Sequence, residues 1–96
     1  MFVVTVKFTI KAINQDRFQT LVLQQASDSL INEAECHVFE VSKQAQQNSD
    51  VTFFLYEVYE RKKSFELHLE SQHFLTFNEI TADLVLAKSV EVFETC

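Results

Sequence analysis

The 96-residue chain contains no glycine, no proline and no tryptophan. At average usage, a chain of this length would have about six or seven glycines and about five prolines. Without glycine there is no P-loop, no G-x-G-x-x-G dinucleotide fingerprint and no G-x-S-x-G nucleophile elbow, because each needs a sharp turn or a close approach of backbone to ligand. An EF-hand loop is excluded for the same reason. Any chemistry must therefore come from side chains.

The lack of glycine also restricts the turns. Asparagine and aspartate are the other residues that enter the left-handed region of backbone conformation at low cost. We therefore expect any left-handed position to be one of four residues: Asn32, Asn48, Asp50 and Asp83.

The charge balance limits the partners. Fourteen acidic residues against eight basic ones give a net charge of −6, which repels phosphate backbones and anionic membrane surfaces. No apolar run approaches the length of about 18 residues that spans a bilayer, and the N-terminus lacks the basic start of a signal peptide. With only two cysteines, no disulfide framework is expected. The sequence predicts a cytoplasmic protein that binds neither nucleic acid nor membrane.

The composition, 47% hydrophobic and 23% charged, is typical of one compact domain, which we expect to span residues 1–96. Alternating apolar residues begin at once, with one face formed by Phe2, Val4, Val6, Phe8 and Ile10. Strands are predicted in this first segment and over 36–42, 52–59 and 88–95. Helices are predicted over 15–33, with Phe18, Leu21, Val22, Ala26, Ser29 and Leu30 on its apolar face, and over 61–71 and 72–80.

Between these elements, Asn14 or Asp16 is expected to cap the first helix, and residues 43–50 read as a loop. Residues 84–86 are ambiguous between a helix end and a strand start. The order β-α-β-β-α-β is that of an α+β, ferredoxin-like fold, an antiparallel sheet with the helices on one face. The strand at 52–59 is apolar on both faces. Its outer side is either a local hydrophobic patch or the contact with a second copy of the chain.

The three histidines are poorly spaced for a metal site. His68 and His73 lie about 140° apart around an ideal helix, although a break in that helix could bring both into one pocket. Cys36 and His37 are neighbours on a strand and point to opposite faces. No metal ligand set and no nucleophilic cysteine are predicted.

General acid–base chemistry is better supported. Glu57 lies among apolar and aromatic residues, where the pKa of a carboxyl group rises unless it is paired. A histidine is its natural partner, either for proton transfer or in a purely structural pair. Phenolic or aromatic side chains could line a pocket beside it or simply form the core: Tyr56, Tyr59, Phe65, Phe74 and Phe77.

Three segments carry a family resemblance: E-A-E-C-H-V-F-E-V from residue 33, T-F-F-L-Y-E-V-Y-E from residue 52, and F-E-L-H-L-E-S-Q-H-F from residue 65. Together they resemble the antibiotic biosynthesis monooxygenase family. Its pattern is Glu-Pro-Gly-Cys before a strand, Tyr-Glu-Val-Trp on the next strand, and His-x-x-Ser-x-His-Phe on the following helix. The resemblance is densest over about half of the chain.

The resemblance implies a homodimeric α+β barrel with a pocket between sheet and helices in each subunit. It also implies oxidation of a small quinol-like or enolisable aromatic substrate by molecular oxygen, with no cofactor. Glu57, His68 and His73 match the family's polar positions, with a histidine as base and Glu57 as its orienting group. Tyr59 stands where the family has tryptophan, and Phe74 matches the aromatic residue after the second histidine.

Two departures narrow the activity. Ala34-Glu35 replaces Pro-Gly. The haem-degrading branch of the family has an asparagine on the first strand and a histidine at the end of the last helical segment. Here residues 2–10 contain no asparagine and Asn78 stands at the position of the histidine, so haem degradation is not expected. Two alternatives to an oxygenase stay open. One is an isomerase or aldolase-like enzyme for a phosphorylated autoinducer-type compound, whose phosphate would need a cation from a set of four: Lys7, Lys11, Arg17 and Lys43. The other is a non-catalytic binding or stress-related protein on the same fold.

Overall fold

The computed structural model describes residues 1–45 and 48–96, and in them four strands and three α-helices follow the order β-α-β-β-α-α-β. The elements are β1 (Phe2–Lys11), α1 (Gln15–Asn32), β2 (Cys36–Lys43), β3 (Asp50–Tyr59), α2 (Lys62–Leu69), α3 (Gln72–Thr81) and β4 (Val85–Glu94). The strands form one antiparallel sheet in the order β2-β3-β1-β4. This confirms the predicted ferredoxin-like fold.

Strand β1 lies inside the sheet and supplies much of the core. It pairs with β3 on one side and β4 on the other, so that Val4 lies opposite both Glu57 and Val92. The five residues predicted to share its inner face are all buried: Phe2, Val4, Val6, Phe8 and Ile10. The alternation in the sequence therefore identified the face that meets the helices.

Helix α1 packs on this face through a stripe that differs from the predicted one. Its buried residues are Phe18, Val22, Gln25, Ala26 and Ser29. The prediction that Leu30 belongs to the stripe is wrong, since its side chain is 45% exposed near the end of the helix. A glutamine instead takes a buried position, because Gln25 lies at helical spacing between Val22 and Ser29.

Four phenylalanine rings join α1, α3 and the sheet into one cluster. The ring centroid of Phe18 lies 4.9 Å from that of Phe53 and 5.1 Å from that of Phe8. Phe77 of α3 lies 6.0 Å from Phe18 and 6.2 Å from Phe8. These separations fall in the range of favourable tilted and edge-to-face packing. The cluster fixes both helices on the same face of the sheet.

The turns confirm one of the four expected left-handed positions. Asn48 has φ 58° and is the only residue with positive φ in the described part of the chain. Asn32, Asp50 and Asp83 have negative φ, so Asn48 alone meets the expectation that any left-handed position is an asparagine or aspartate. Of the predicted loop 43–50, residues 46 and 47 lie outside the described residues.

The structure also defines the start of α1 and the start of β4. A 3-10 turn over Ala12–Asn14 leads directly into α1, and the Asn14 side chain makes no capping hydrogen bond. Asn14 is therefore the N-cap residue of α1, as expected, but its side chain contributes no capping hydrogen bond. Strand β4 begins at Val85, which assigns the ambiguous segment mainly to the sheet.

Two apolar surfaces remain uncovered by the helices. The outer face of β3 presents Tyr56, 38% exposed, between the half-buried Phe54 and Val58. On β4, Val90 and Val92 are 47% and 51% exposed although they lie in register with the buried β1 residues Val6 and Val4. None of the helices in residues 1–45 and 48–96 is long and apolar enough to cross a membrane.

Candidate functional site

The turn after α1 places a glutamate beside the second pair of helices. Glu33 leaves the helix in an extended conformation, and its backbone N–H donates to the Ser29 carbonyl at 3.0 Å. The turn then closes when the Cys36 N–H donates to the Glu33 carbonyl at 3.0 Å. Ala34 and Glu35 make this turn with negative φ, so the loss of the Pro-Gly pair does not distort it.

Helix α2 is fastened to the same turn at its first residues. The Ser64 hydroxyl donates to Glu35 Oε1 at 2.6 Å and accepts from the Arg61 backbone N–H at 3.3 Å. His68 follows Ser64 by four residues and so lies on the same face of the helix. Its Nδ1 lies 2.8 Å from Glu33 Oε2, and its ring is only 2% exposed.

A break between α2 and α3 brings the second histidine to the same carboxylate. Ser71 makes this break, because its hydroxyl donates to the His68 carbonyl at 2.7 Å and accepts from the Phe74 N–H at 3.3 Å as the cap of α3. His73 then lies in the first turn of α3, and its Nε2 hydrogen-bonds Glu33 Oε2. Ser71, the serine of the His-x-x-Ser-x-His-Phe pattern, thus separates the two helices so that both histidine rings reach Glu33.

Glu33 is therefore the centre of a histidine–carboxylate–histidine triad, here called the triad. Burial alone would raise the pKa of Glu33, but the hydrogen bonds and charges of His68 and His73 together lower it below its ordinary value. Two N–H donors on one oxygen stabilise the ionised carboxylate. The carboxylate in turn fixes which nitrogen of each ring carries a proton.

Glu57 lies in a different environment, on β3. It is 3% exposed and accepts a hydrogen bond at 2.6 Å from the hydroxyl of Tyr59, two residues along the same face. Burial raises the pKa of Glu57, and the Tyr59 hydrogen bond and the nearby charge of His68 offset this only in part. Burial and the Glu57 charge also raise the pKa of the Tyr59 hydroxyl, which therefore stays a donor.

A cavity of about 50 Å³ lies between the sheet and the helices, beside His68 and Glu57. The ring of His68 is surrounded by aromatic rings, with centroids 5.1 Å from Phe74, 5.4 Å from Tyr59 and 6.1 Å from Phe65. Of the described residues that line the cavity, four are polar, namely Gln25, Glu57, His68 and Lys88, and nine are apolar: Val6, Phe8, Phe39, Leu55, Phe65, Leu69, Phe74, Phe77 and Val90.

The cavity mouth is marked by Lys88 of the edge strand β4. Its ammonium group lies 5.4 Å from the ring centroid of Phe8 and 5.8 Å from that of Phe74, within cation–π distance of both. The same charge lowers the pKa of Glu57 slightly against the effect of burial. An exposed lysine thus contributes positive charge to an otherwise apolar entrance.

The residues predicted for the site separate into three groups. His68, Glu57, Phe65, Phe74 and Phe77 line the cavity. Tyr59 is fully buried and does not line it, and His73 reaches the triad from a depression between α1 and α3. Tyr56 lies on the outer face of the sheet and does not reach the cavity.

Two details of the prediction need correction. Within the described residues, Glu57 hydrogen-bonds Tyr59 and no histidine; the group that orients both histidines is Glu33. Glu33 was present in the family pattern as the glutamate before the cysteine, and this was the signal available for it. Gln25 and Lys88 were also missed, because neither belongs to a chemical pattern in the sequence.

The triad is also the group that could hold a divalent metal ion. Ligand atoms of Glu33, His68 and His73 all lie within 4.8 Å of one another, and residues 1–45 and 48–96 contain no other such group. A carboxylate and two imidazoles suit zinc and related ions. The expectation of no metal site came from the spacing on one continuous helix, and the break at Ser71 removes that argument.

The remaining reactive side chains stay outside this arrangement. Cys36 is buried, and burial raises the pKa of its thiol to about 12, which keeps it protonated. His37 lies on the surface, 2.5 Å from Glu60. Neither lines the cavity.

Comparisons with known proteins identify the family and the fold. The family model described as antibiotic biosynthesis monooxygenase matches residues 1–80. A candidate antibiotic biosynthesis monooxygenase of Nitrosomonas europaea is 23% identical, with a TM-score of 0.87 over 98% of this chain and 88% of that one. One from Caulobacter crescentus is 16% identical, with a TM-score of 0.89 over 99% and 89%.

A third solved structure, Rv0793 from Mycobacterium tuberculosis, is 17% identical, with a TM-score of 0.83 over 99% of this chain and 94% of that one. No curated protein matches the sequence significantly. At these identities the solved structures show the fold, while the family model covers most of the sequence, including the turn at Glu33, strand β3 and both triad histidines. The chain belongs to the antibiotic biosynthesis monooxygenase family.

Proposed function

We propose that this protein is a cofactor-independent monooxygenase that acts on a small quinol-like or enolisable aromatic substrate. The observation that carries the proposal is the setting of His68. Its Nδ1 lies 2.8 Å from the Glu33 carboxylate, while the ring lines the aromatic cavity. If Nδ1–H donates to Glu33, then Nε2 bears the lone pair, and within the described residues it makes no hydrogen bond. His68 is then a general base aimed at a bound substrate.

The chemistry follows from what an organic substrate needs in order to react with oxygen. A phenol or enol passes an electron to O2 readily only as its anion, so removing its proton to His68 is the activating step. The carbon–oxygen bond then forms between the substrate radical and the reduced oxygen. One oxygen atom stays on the ring as a carbonyl, and the other leaves as water together with two substrate hydrogens. The substrate supplies all electrons.

The surroundings of His68 favour this reaction. The apolar lining excludes water, which strengthens the electrostatic effect of Glu33 on the imidazolium that forms. Glu57 lies on the cavity wall with a raised pKa, so it can hold a proton near the developing product. Because the cavity measures about 50 Å³, a ring-sized substrate must displace lining side chains, of which Lys88 is one that is exposed.

The two alternative activities have less support. The cations nominated for phosphate binding do not line the cavity, and Lys7 instead lines a depression on the opposite face of the sheet. The hypothesis of an isomerase for a phosphorylated compound is therefore less well supported. A non-catalytic module would have been favoured by a cavity that neither histidine reaches, but His68 is part of the wall.

We further propose that the protein works as a homodimer. The outer face of β3 and the uncovered part of β4 expose apolar side chains, which a second copy of the chain would bury. Tyr56 then has a role at the subunit contact rather than in substrate binding. Sedimentation equilibrium should give twice the mass of the chain, and Tyr56→Glu should shift the mass towards the monomer. A monomeric wild type would contradict this proposal.

The test of the function is oxygen uptake with a panel of small quinols. We expect His68→Ala to lower turnover by about 100-fold or more, since a positioned base contributes that much. His73→Ala should lower turnover by about tenfold, because it removes one of two donors to Glu33. Chelators should leave turnover unchanged.

The matched control for this test is His37→Ala, which removes a histidine paired with a glutamate on the surface and should leave turnover unchanged. If wild-type protein consumes no oxygen with any quinol, the proposed activity is wrong. If turnover survives both triad substitutions, the assignment of the base is wrong.

A further inference from the structure

The cavity contains a buried polar group that nothing in the described residues satisfies. Gln25 of α1 is 3% exposed, and both its Nε2 and its Oε1 lack a hydrogen-bond partner. Buried polar side chains are almost always paired, so an orphaned amide needs an explanation. A side chain with a free donor and a free acceptor can hydrogen-bond a ligand that offers one acceptor and one donor.

The position of Gln25 supports this explanation. Among residues 1–45 and 48–96 it is one of four polar residues on the cavity wall, and the other three have an identified environment: Glu57 binds Tyr59, His68 binds Glu33, and Lys88 lies over two phenylalanine rings. Ser29, the next polar residue on the same helix face, bonds the Gln25 carbonyl at 2.8 Å and leaves the amide side chain untouched. Gln25 is therefore the uncommitted polar group of the cavity.

We propose that Gln25 is a substrate-binding residue that recognises two neighbouring oxygens on an aromatic ring. One oxygen, as a hydroxyl, donates to Oε1, and the adjacent oxygen accepts from Nε2. A planar amide presents this donor and acceptor side by side, which matches 1,2-dioxygenated rings and not their 1,3 or 1,4 isomers. The inference rests on the proposed function only in taking this cavity as the substrate site.

The rest of the wall is consistent with such a ligand. The ring would lie against the phenylalanines, in the same cavity that His68, the proposed base, lines. Lys88 at the mouth favours a ligand that becomes an anion. Gln25 would then hold the ring in one orientation while its proton is removed.

The experiment compares isomeric probes by calorimetric titration without oxygen, so that binding is measured and turnover is not. Catechol, resorcinol and hydroquinone have the same composition and differ only in the spacing of their hydroxyl groups. Wild-type protein should bind catechol about tenfold more tightly than either isomer, the effect of one well-formed pair of hydrogen bonds to a buried group. Gln25→Leu should abolish this preference and leave the melting temperature unchanged or raised.

Two further variants complete the design. Gln25→Met keeps the length of the side chain while removing both hydrogen-bonding groups, and it should lose the preference as Gln25→Leu does. Gln24→Leu makes the same change one residue earlier on the exposed side of α1, and it should keep the preference.

Three outcomes overturn the inference: no preference for catechol in the wild type, a preference that survives in both Gln25 variants, or its loss in Gln24→Leu. A wild type that shows the Gln25-dependent preference and consumes no oxygen supports the inference, and then only the oxygenase activity has failed.

Discussion

Glu33 and Glu57 are two glutamates near His68 whose surroundings differ. Glu33 lies at the rim, where one oxygen accepts hydrogen bonds from two histidines, and its pKa is lowered. Glu57 lies on the sheet, almost fully buried, with one phenolic donor, and its pKa is raised. The number of donors, set against the cost of burial, decides which carboxyl group stays charged.

This difference assigns separate tasks to the two carboxyl groups. A charged Glu33 holds His68 in one tautomer and stabilises its protonated form. Glu57 lies on the cavity wall with its pKa raised by burial, which suits a role as proton donor or acceptor within the cavity. Two acids that titrate apart allow one site to carry out both halves of a proton transfer.

Of the changes that test the comparison between the two carboxyl groups, Glu33→Gln should have the largest effect. An amide lacks the negative charge and cannot accept strongly from two imidazole N–H groups, so His68 loses its fixed tautomer. We expect turnover with the best quinol to fall by about 100-fold, with a smaller change in KM.

The matched control is Glu35→Gln, the same substitution two residues later on an exposed side chain that contacts Ser64 and Arg61. It should change turnover by less than about twofold. Equal losses in the two variants would mean that the turn as a whole matters and the charge of Glu33 does not.

The next effect is a pair of opposite pH dependences, read from chemical unfolding between about pH 3 and about pH 7. Because the folded-state pKa of Glu57 is raised, the contribution of Glu57 to the stability of the wild type falls as pH rises above the ordinary value of 4.5. Glu57→Gln removes this loss, and its stability relative to wild type should therefore increase with pH.

Glu33→Gln should show the reverse. Because the folded-state pKa of Glu33 is lowered, its carboxylate stabilises the fold above the ordinary value of 4.5, and this stabilisation disappears as pH falls through the folded value. The variant should be less stable than wild type near pH 7, and the gap should close in acid. Parallel curves for the two variants would contradict the comparison between the carboxyl groups.

The smallest effect is expected for Tyr59→Phe. The substitution removes the hydroxyl that donates to Glu57 at 2.6 Å and leaves a buried carboxyl oxygen unpaired. We expect a loss of about 1–2 kcal/mol in the free energy of unfolding at pH 7. Tyr56→Phe, on the outer face, should change it by less than about 0.5 kcal/mol, and an equal loss there would contradict the assigned role of the Tyr59 hydroxyl.

The fold was predictable because its signals are local. Alternation in β1 and helical spacing in α1 reflect burial on one face, and the structure repeats both patterns. The errors arise where a polar residue takes an apolar position. Gln25 occupies the place in the stripe that spacing offers, and Leu30 at the helix end is exposed.

The candidate site was predictable only in part, because its geometry depends on contacts between distant segments. The family pattern pointed to Glu57, His68 and His73, but a pattern gives no pairing. Glu33 meets the histidines only because Ser64 ties α2 to the turn after α1 and Ser71 breaks the helix at the right residue. Hydrogen bonds between residues that lie 35 and 40 positions apart leave no local pattern in the sequence from which they could be predicted.

The strand order has a consequence for how the protein reaches its working state. The first strand pairs with the third and the last, so one edge of the sheet joins residues from opposite ends of the chain. Pairings between distant residues carry a high loop-closure cost and slow the folding of a domain. We expect the β2–β3 hairpin to form early and β4 to dock late. Because β4 supplies Lys88 and Val90, the cavity wall is then completed only in the last step of folding.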